Sequence, residues 1–234
     1  MANLYGPKIV TSGLVLCLDA ANTKSYPGTG TTWNDLSGNN NNGTLTNGPT
    51  FNSANQGGIV FDGVDDYIAI TINSTDFNDL TLACWVNITN IATDTQNFIS
   101  LGVNSSAIAA NTDTNNFNLG WYSNLKWHTN TKNNGSWNSE LNINSNLPVN
   151  NSWNYVVGTY STVGTSRKLY INSSYIGGDS LYNNPGAVSL IRIGGGAFGW
   201  KLIGRISNTQ IYNRALSATE IAQNYNATKG RFNL

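Results

Sequence analysis

The chain has 234 residues, no net charge and 39% hydrophobic residues, so it can bury a substantial core, and we expect one domain over residues 1–234. Its 12 lysines and arginines are scattered along the chain with no basic cluster, which argues against the basic face of a nucleic-acid-binding protein. Its apolar runs, such as residues 14–18, are far shorter than the roughly 20 residues of a membrane-spanning helix.

Acidic and basic catalytic groups are scarce in this sequence. Two glutamates, Glu140 and Glu220, and one histidine, His128, occur in the whole chain. Most general acid/base sites, catalytic triads and hydrolytic zinc sites need more of these residues. Asparagine instead occupies 39 positions and supplies neutral amides for solubility. We therefore expect a binding or structural protein and no enzymatic activity.

The first residues indicate an N-terminal arm over residues 1–12 that lacks the charged and apolar regions of a secretory signal. Synthesis in the cytoplasm is expected. After the arm, short apolar alternations separated by Gly, Asn, Asp and Ser clusters are typical of an antiparallel sandwich. The clearest predicted strands are Leu14 to Leu18, Gly58 to Phe61, Tyr67 to Ile70, Leu80 to Ile88, Trp153 to Tyr160, Lys168 to Asn172, Ser189 to Ile193 and Ile203 to Tyr212.

One predicted strand has an especially regular alternation. A period of two gives it a core face and leaves Trp85 on the opposite face. The core-face residues are Leu80, Leu82, Cys84, Val86 and Ile88. Because Cys17 and Cys84 both lie in apolar strand-like runs, we expect reduced thiols packed in the core instead of a disulfide.

Two connecting regions follow different patterns. Asp62-Gly63 joins two predicted strands, and we expect a hairpin turn there because glycine can adopt a positive φ. Between Asn104 and Leu147, Asn, Ser and Thr interrupt the apolar pattern. Long loops are expected in that region.

The same region contains a cluster of aromatic residues that suits a sugar site. The apolar face of a sugar stacks on aromatic rings, while amides and lysines bind its hydroxyls. The candidate glycan-binding residues are Trp121, Tyr122, Trp127, His128 and Trp137. The alternative is that Trp121 and Trp137 fill the core of the sandwich.

The final element is a predicted helix over residues 217–230. Ser217 and Glu220 have the spacing of a capping box, in which each side chain satisfies a backbone amide of the first turn. Ile221 and Tyr225 then recur with helical spacing. Gly230 ends the helix.

Several segments resemble laminin-G-like domains of the concanavalin A-like lectin/glucanase superfamily. FDGVDDYI at residues 61–68 is similar to a signature of these domains, and GLVLCLDA at residues 13–20 with WNDLSG at residues 33–38 resembles their opening strand and loop. GRI at residues 204–206 with IYNRALS at residues 211–217 resembles the closing strand and helix cap. The resemblance implies an all-β, two-sheet antiparallel jelly-roll sandwich with one short C-terminal helix.

The resemblance bears on catalysis and on metal binding. Glycoside hydrolases of the superfamily place two glutamates and an aspartate on one strand, and this sequence has no such triplet. Many relatives bind calcium through oxygen ligands. The candidate calcium ligands here are Asp19, Asp35, Asp62, Asp65 and Asp66, with Asn39 as a further oxygen donor. Ser207-Asn208 replaces two acids of the family's closing strand, so turn stabilisation is the alternative role for these aspartates.

Both ends of the chain, residues 4–33 and 216–234, resemble laminin-G-like proteins of tailed bacteriophages, especially virion surface components. The resemblance implies a virion surface protein of the tail or capsid, present in many copies or as a homo-oligomer, that binds host-surface glycans weakly. An architectural decoration or fibre protein, whose partners are other virion subunits, is the alternative. A bacterial cell-surface adhesion module is the third possibility.

Overall fold

The structure, a computed structural model, describes residues 8–91, 95–102, 116–122, 126–133, 136–180, 184, 186–195 and 200–234, with residues 74, 116, 128, 130–133 and 136–140 described by their backbone alone. These residues form two antiparallel sheets. The strands in chain order are β1 (Leu14–Asp19), β2 (Thr32–Trp33), β3 (Gly43–Thr46), β4 (Thr50–Asn52), β5 (Gly58–Asp62), β6 (Tyr67–Asp76), β7 (Leu80–Ile88), β8 (Gln96–Gly102), β9 (Asn116–Tyr122), β10 (Lys126–Asn133), β11 (Ser136–Ile143), β12 (Trp153–Ser161), β13 (Ser166–Ile171), β14 (Ser174–Asp179), β15 (Ala187–Ile193) and β16 (Ile203–Tyr212).

The strand order defines a sandwich of two sheets. The first sheet runs β14-β13-β12-β7-β16-β5-β4, and β1 also pairs with β16. The second sheet runs β11-β10-β9-β8-β15-β6-β3-β2. A single α-helix, α1 (Ala218–Thr228), follows the last strand among the described residues. The predicted all-β, two-sheet antiparallel jelly-roll sandwich with one short C-terminal helix is confirmed.

All eight strands predicted most clearly are present, but the predicted long loops between Asn104 and Leu147 are wrong where the structure describes this region. Residues 116–143 contribute β9, β10 and β11 to the second sheet. Phe117, Leu119 and Trp121 are buried at alternate positions of β9. The intervening asparagines resemble turn signals in the sequence, although here they occupy the other face of a strand. Part of the predicted loop region, residues 103–115, lies outside the described residues.

The predicted hairpin at Asp62-Gly63 is also wrong, because β5 and β6 belong to different sheets. The turn crosses from one sheet to the other. Gly63 does have the expected positive φ, at 81°. A Cβ at this position would lie 2.2 Å from the Ile203 side chain, so no larger residue fits without a rearrangement. The turn therefore holds the end of β5 against the start of β16.

The main core lies between the two sheets, and β7 contributes to it as the alternation predicts. Leu80, Leu82, Cys84, Val86 and Ile88 all belong to this core. Cys17 and Cys84 are buried free thiols. No helix in the described part of the chain has the length and apolar character needed to cross a membrane.

A second, smaller core covers the outer face of the first sheet. Trp85 packs there between Tyr155 of β12 and the C-terminal segment, with ring centroids 5.6 Å from Tyr225 and 4.3 Å from Phe232. The Trp85 indole Nε1 donates a 2.7 Å hydrogen bond to Thr228 Oγ1. Because this segment covers the sheet, both faces of β7 are buried.

The predicted capping box starts α1. Ser217 Oγ accepts a hydrogen bond from the Glu220 amide, and the Glu220 carboxylate accepts one from the Ser217 amide. Arg214 forms two further hydrogen bonds with the same carboxylate, at 3.0 and 2.6 Å. Glu220 therefore has a structural role at the helix start.

Acidification is expected to weaken the start of α1. The hydrogen bonds from Arg214, followed by those from Ser217, lower the pKa of Glu220 from 4.5 to about 2. A lowered folded-state pKa stabilises the protein above the unfolded pKa, and this contribution is lost as the pH falls from about 4.5 towards 2. Urea unfolding of the native protein and Glu220→Gln at several pH values in this window tests the linkage. The variant should show a shallower loss of stability, and identical slopes would contradict the assigned role.

Candidate functional site

Two of the five predicted glycan-binding residues, Trp121 and Trp127, lie in the core. They pair across β9 and β10, are fully buried, and make an edge-to-face contact with centroids 5.3 Å apart. Trp121 Nε1 donates to the Ile91 carbonyl oxygen, and Trp127 Nε1 donates to that of Asn146. Because no part of either ring is exposed to solvent, a sugar cannot stack on them. The prediction that these two residues bind a ligand is wrong.

The other three predicted residues have different outcomes. Tyr122 is half-buried at the end of β9, where its ring meets Trp200 edge-to-face at 6.4 Å. His128 pairs in register with Gly120, and Trp137 pairs with Lys132. The side chains of His128 and Trp137 lie outside the described part of the structure, so their roles remain predictions.

A cationic and aromatic cluster lies on the outer face of the second sheet. Ile191 and Ile193 point into the core, which places Arg192 of β15 on the opposite face. The Arg192 guanidinium carbon lies 4.2 Å from the centroid of the Tyr67 ring. Arg192 is only 5% exposed, yet its Nε atom has no hydrogen-bond partner among the described residues. A buried donor without a partner is costly, so this atom is a candidate for ligand contact.

Lys201 lies beside this pair. Its backbone bridges to Gly195, and a Cβ at Gly195 would lie 3.1 Å from the Tyr67 Cβ. Burial, followed by the charge of Arg192, lowers the pKa of Lys201, while Asp65 raises it. Trp200 precedes Lys201 and contacts Tyr122. We call Tyr67, Tyr122, Arg192, Trp200 and Lys201 the rim site.

Polar side chains continue from the rim site across the second sheet. Ser100 pairs in register with Arg192, and its hydroxyl donates a 2.7 Å hydrogen bond to Asn118 Oδ1. Asn97 also donates to this oxygen, at 3.4 Å, whereas Asn97 Oδ1 has no partner in the described part of the chain. All three side chains are fully buried. The sheet therefore presents an unused acceptor as well as an unused donor.

The predicted calcium ligands separate into two groups. Asp62, Asp65 and Asp66 cluster in the turn between β5 and β6, with their nearest carboxylate oxygens all within 4.8 Å of one another. We call these three residues the acidic turn. Asp66 Oδ2 accepts from the Asp62 amide, and Asp62 Oδ1 accepts from the Val64 amide. Burial, and then the charges of Asp62 and Asp65, raise the pKa of Asp66 against the opposing effect of its backbone hydrogen bond.

The other two predicted ligands do not join the acidic turn. Asp19 forms a bidentate ion pair with Arg231, with both oxygen to nitrogen distances at 2.7 Å. Asp35 accepts hydrogen bonds from the amides of Cys17 and Ser37. These contacts anchor the C-terminal segment and a loop, so the prediction that Asp19 and Asp35 share a metal site with the other three residues is wrong. Asn39 is used differently too, since its Nδ2 donates to the carbonyl oxygens of residues 14 and 15.

Most of the rim site was missed in the sequence. Tyr67, Arg192 and Lys201 are far apart along the chain, and only the pairing of β15 with β6 and the bridge at Gly195 bring them together. One local signal was present. Arg192 lies between Ile191 and Ile193 in a predicted strand. The alternation of a strand therefore places its charged side chain on the outer face of the sheet.

Comparison with known proteins agrees with this architecture. Residues 62–222 match the laminin G family model described as "Concanavalin A-like lectin/glucanases superfamily". No curated protein matches the sequence.

Three solved structures illustrate the fold. The binding domain of Paraclostridial mosquitocidal protein 1 is 18% identical, with a TM-score of 0.68 over 92% of this chain and 52% of its own. The botulinum neurotoxin serotype D ligand binding domain in complex with N-acetylneuraminic acid is 16% identical, with a TM-score of 0.69 over 92% and 51%. Trypanosoma rangeli sialidase in complex with sialic acid is 16% identical, with a TM-score of 0.65 over 94% and 33%. This chain thus spans about half of the two toxin domains and a third of the sialidase.

Proposed function

Because this chain belongs to the concanavalin A-like lectin/glucanases superfamily, we propose that it is a non-catalytic carbohydrate-binding domain that uses the rim site. The observation that carries the proposal is the Arg192 side chain, which is buried against Tyr67 with an unpartnered Nε. Aromatic walls combined with a few polar groups are the usual composition of small-molecule sites. Two of the similar structures contain sialic acid, which supports a sugar as the ligand class.

The absence of catalysis is part of the proposal. Glu220 is held by Arg214 and the helix cap. Glu140 lies on β11 and pairs in register with Asn130. Retaining glycosidases need a nucleophile and an acid about 5 Å apart, whereas Glu140 lies on the edge strand of the second sheet and Glu220 starts the helix that packs on the first sheet. Incubation with polysaccharides should release no reducing ends, and release that Glu140→Gln abolishes would contradict this part.

We further propose that the domain is displayed in many copies on the surface of a bacteriophage tail or capsid. The support is the resemblance of residues 4–33 and 216–234 to virion components. Weak single sites would then reach useful affinity through avidity. Cryo-electron microscopy of the particle tests the location. A rim site buried against a neighbouring subunit would favour the architectural alternative, in which the partners are other virion proteins.

Loss of an aromatic residue from the rim site is expected to weaken binding without unfolding the protein. Trp200 is only partly buried. Stacking of a nucleic-acid base on one aromatic ring contributes about 1–3 kcal/mol, and we expect a sugar stacked on Trp200 to contribute a similar amount. Trp200→Ala should therefore weaken glycan binding about tenfold or more. Titration by nuclear magnetic resonance, with Leu234→Ala as the surface control, measures the effect. Unchanged affinity in Trp200→Ala would remove this residue from the site.

We propose that calcium binds at the acidic turn. The three carboxylates lie close together and retain free lone pairs, so a bound cation would reduce their mutual repulsion. A ligand that binds only the folded state raises the melting temperature. We expect millimolar calcium to raise the melting temperature of the native protein and to leave that of Asp65→Asn unchanged. A native protein that responds to neither calcium nor chelator would exclude a stabilising site.

A further inference from the structure

We propose that the rim site selects sugars that carry a carboxylate, with Arg192 and Lys201 holding the acid group. This inference rests on the proposed carbohydrate-binding function and names the ligand class. The observation that carries it is the position of two cations. The Arg192 guanidinium is buried and its Nε has no hydrogen-bond partner among the described residues, and the half-buried Lys201 lies beside it. Neither residue takes part in any ion pair between described residues.

The environment of Arg192 is unusual for a structural arginine. A buried charge is costly unless it is paired and hydrogen-bonded. The structure offers three comparisons, because Arg167, Arg214 and Arg231 each bind a carboxylate at 2.5 to 2.7 Å. Arg192 instead stacks on Tyr67. Stacking stabilises the face of the guanidinium, but it leaves the in-plane N–H of Nε without an acceptor.

Lys201 adds a second positive charge at the same place. Arg192 lies over the Tyr67 ring, and Lys201 bridges to Gly195, which packs against Tyr67. Burial, followed by the charge of Arg192, lowers the pKa of Lys201. The acidic turn offsets this only in part, because Asp65 acts on Lys201 but no described carboxylate acts on the pKa of Arg192. A ligand carboxylate between the two cations would satisfy the Nε donor and remove the repulsion. Charge-assisted hydrogen bonds of this kind are the strong ones.

The neighbouring groups suit the rest of a sugar. Tyr122 and Trp200 meet edge-to-face, and Trp200 directly precedes Lys201 in the chain. Asn97 is fully buried, so its unpartnered Oδ1 is not counted as a ligand contact. A carboxylated sugar uses both the cations and the aromatic pair, whereas a simple anion uses only the cations.

Titration of the full chain with a matched series of three ligands tests the inference. The series is 3′-sialyllactose, the methyl ester of its carboxyl group, and lactose. We expect the acid to bind and the ester and lactose to bind about tenfold more weakly or worse, because each lacks the charge-assisted contact. Lys201→Gln should weaken binding of the acid to a similar extent, with no change for lactose. Lys168→Gln, which removes the same charge from β13 of the first sheet, is the control and should change nothing.

Arg192 requires a gentler substitution because it is buried. Arg192→Lys keeps the charge but loses the planar N–H geometry, so binding of the acid should fall while the melting temperature reports the integrity of the fold. If Arg192→Lys unfolds, the comparison of the acid with its methyl ester and the Lys201→Gln variant still test whether the site selects a carboxylate. Equal binding of acid and ester would overturn the inference and leave the carbohydrate-binding function standing. Failure of all three ligands to bind would overturn both.

Discussion

Trp127→Ala is expected to lower the free energy of unfolding by about 3–5 kcal/mol, the usual cost of truncating a core tryptophan. Trp127 is fully buried, packs edge-to-face against Trp121 and Phe98, and donates a 2.8 Å hydrogen bond to the Asn146 carbonyl. Truncation would leave a large cavity between the sheets and an unsatisfied carbonyl group. Urea unfolding of the variant against the native protein measures the loss.

The matched variant is Trp200→Ala, and the two should have opposite effects. Trp127→Ala should lose stability while its folded fraction binds glycan as the native protein does. Trp200→Ala should keep most of its stability and lose affinity. A stable Trp127→Ala protein with abolished glycan binding would restore Trp127 as a ligand residue and refute its placement in the core.

Phe232→Ala is expected to cost about 3–4 kcal/mol, because it opens the second core from the C-terminal side. The Phe232 ring is 7% exposed and its centroid lies 4.3 Å from that of Trp85 and 4.6 Å from that of Trp153. Without this ring, both tryptophans on the outer face of the first sheet would gain solvent exposure. Intrinsic tryptophan fluorescence of the folded variant should therefore shift to longer wavelength.

Leu234 provides the control for this experiment. It lies two residues further on and is 51% exposed, so Leu234→Ala should change stability by no more than about 0.5 kcal/mol. Thermal and urea unfolding of both variants gives the comparison. Equal, small losses in the two proteins would mean that the C-terminal segment does not cover the sheet as described.

The fold was predictable because its signals are local. The alternation from Leu80 to Ile88 needs only the two-residue period of a strand, and the Ser217 to Glu220 spacing needs only the geometry of a helix start. Both features are present as predicted. The turn at Asp62-Gly63 shows the limit of local signals. Its glycine conformation was correct, but a hairpin and a crossover between sheets use the same turn residues, and only the strand order distinguishes them.

The site was predicted poorly for a physical reason. Tryptophan suits both a sugar site and a core, and which role applies depends on the face of β9 and β10 that carries it. The Trp127 and Trp121 pairing places both rings inside. Asparagine caused the opposite error. Asparagine is common in loops, so Asn118 was expected in a loop, yet it is fully buried within β9. Arg192 gained its significance only from its contact with Tyr67, 125 positions away along the chain.

Three of the described carboxylates have structural roles. Glu220, Asp19 and Asp179 are each engaged by an arginine, so these carboxylates maintain the fold. The acidic turn differs from these three, since no ion pair between described residues involves it. Gly195 packs against both Asp66 and Lys201, so the acidic turn lies beside the rim site and the calcium proposal bears on the sugar proposal. A cation there would neutralise acids that would otherwise repel a ligand carboxylate.

Chemical-shift mapping of the ¹⁵N-labelled protein during titration with 3′-sialyllactose tests the central claim most directly. The account predicts that the backbone amides that shift cluster around Tyr67, Arg192, Gly195 and Lys201, with those of the first-sheet strand β13 unmoved. Shifts confined to a different surface, or no shifts at millimolar sugar, would contradict a carbohydrate-binding role for the rim site.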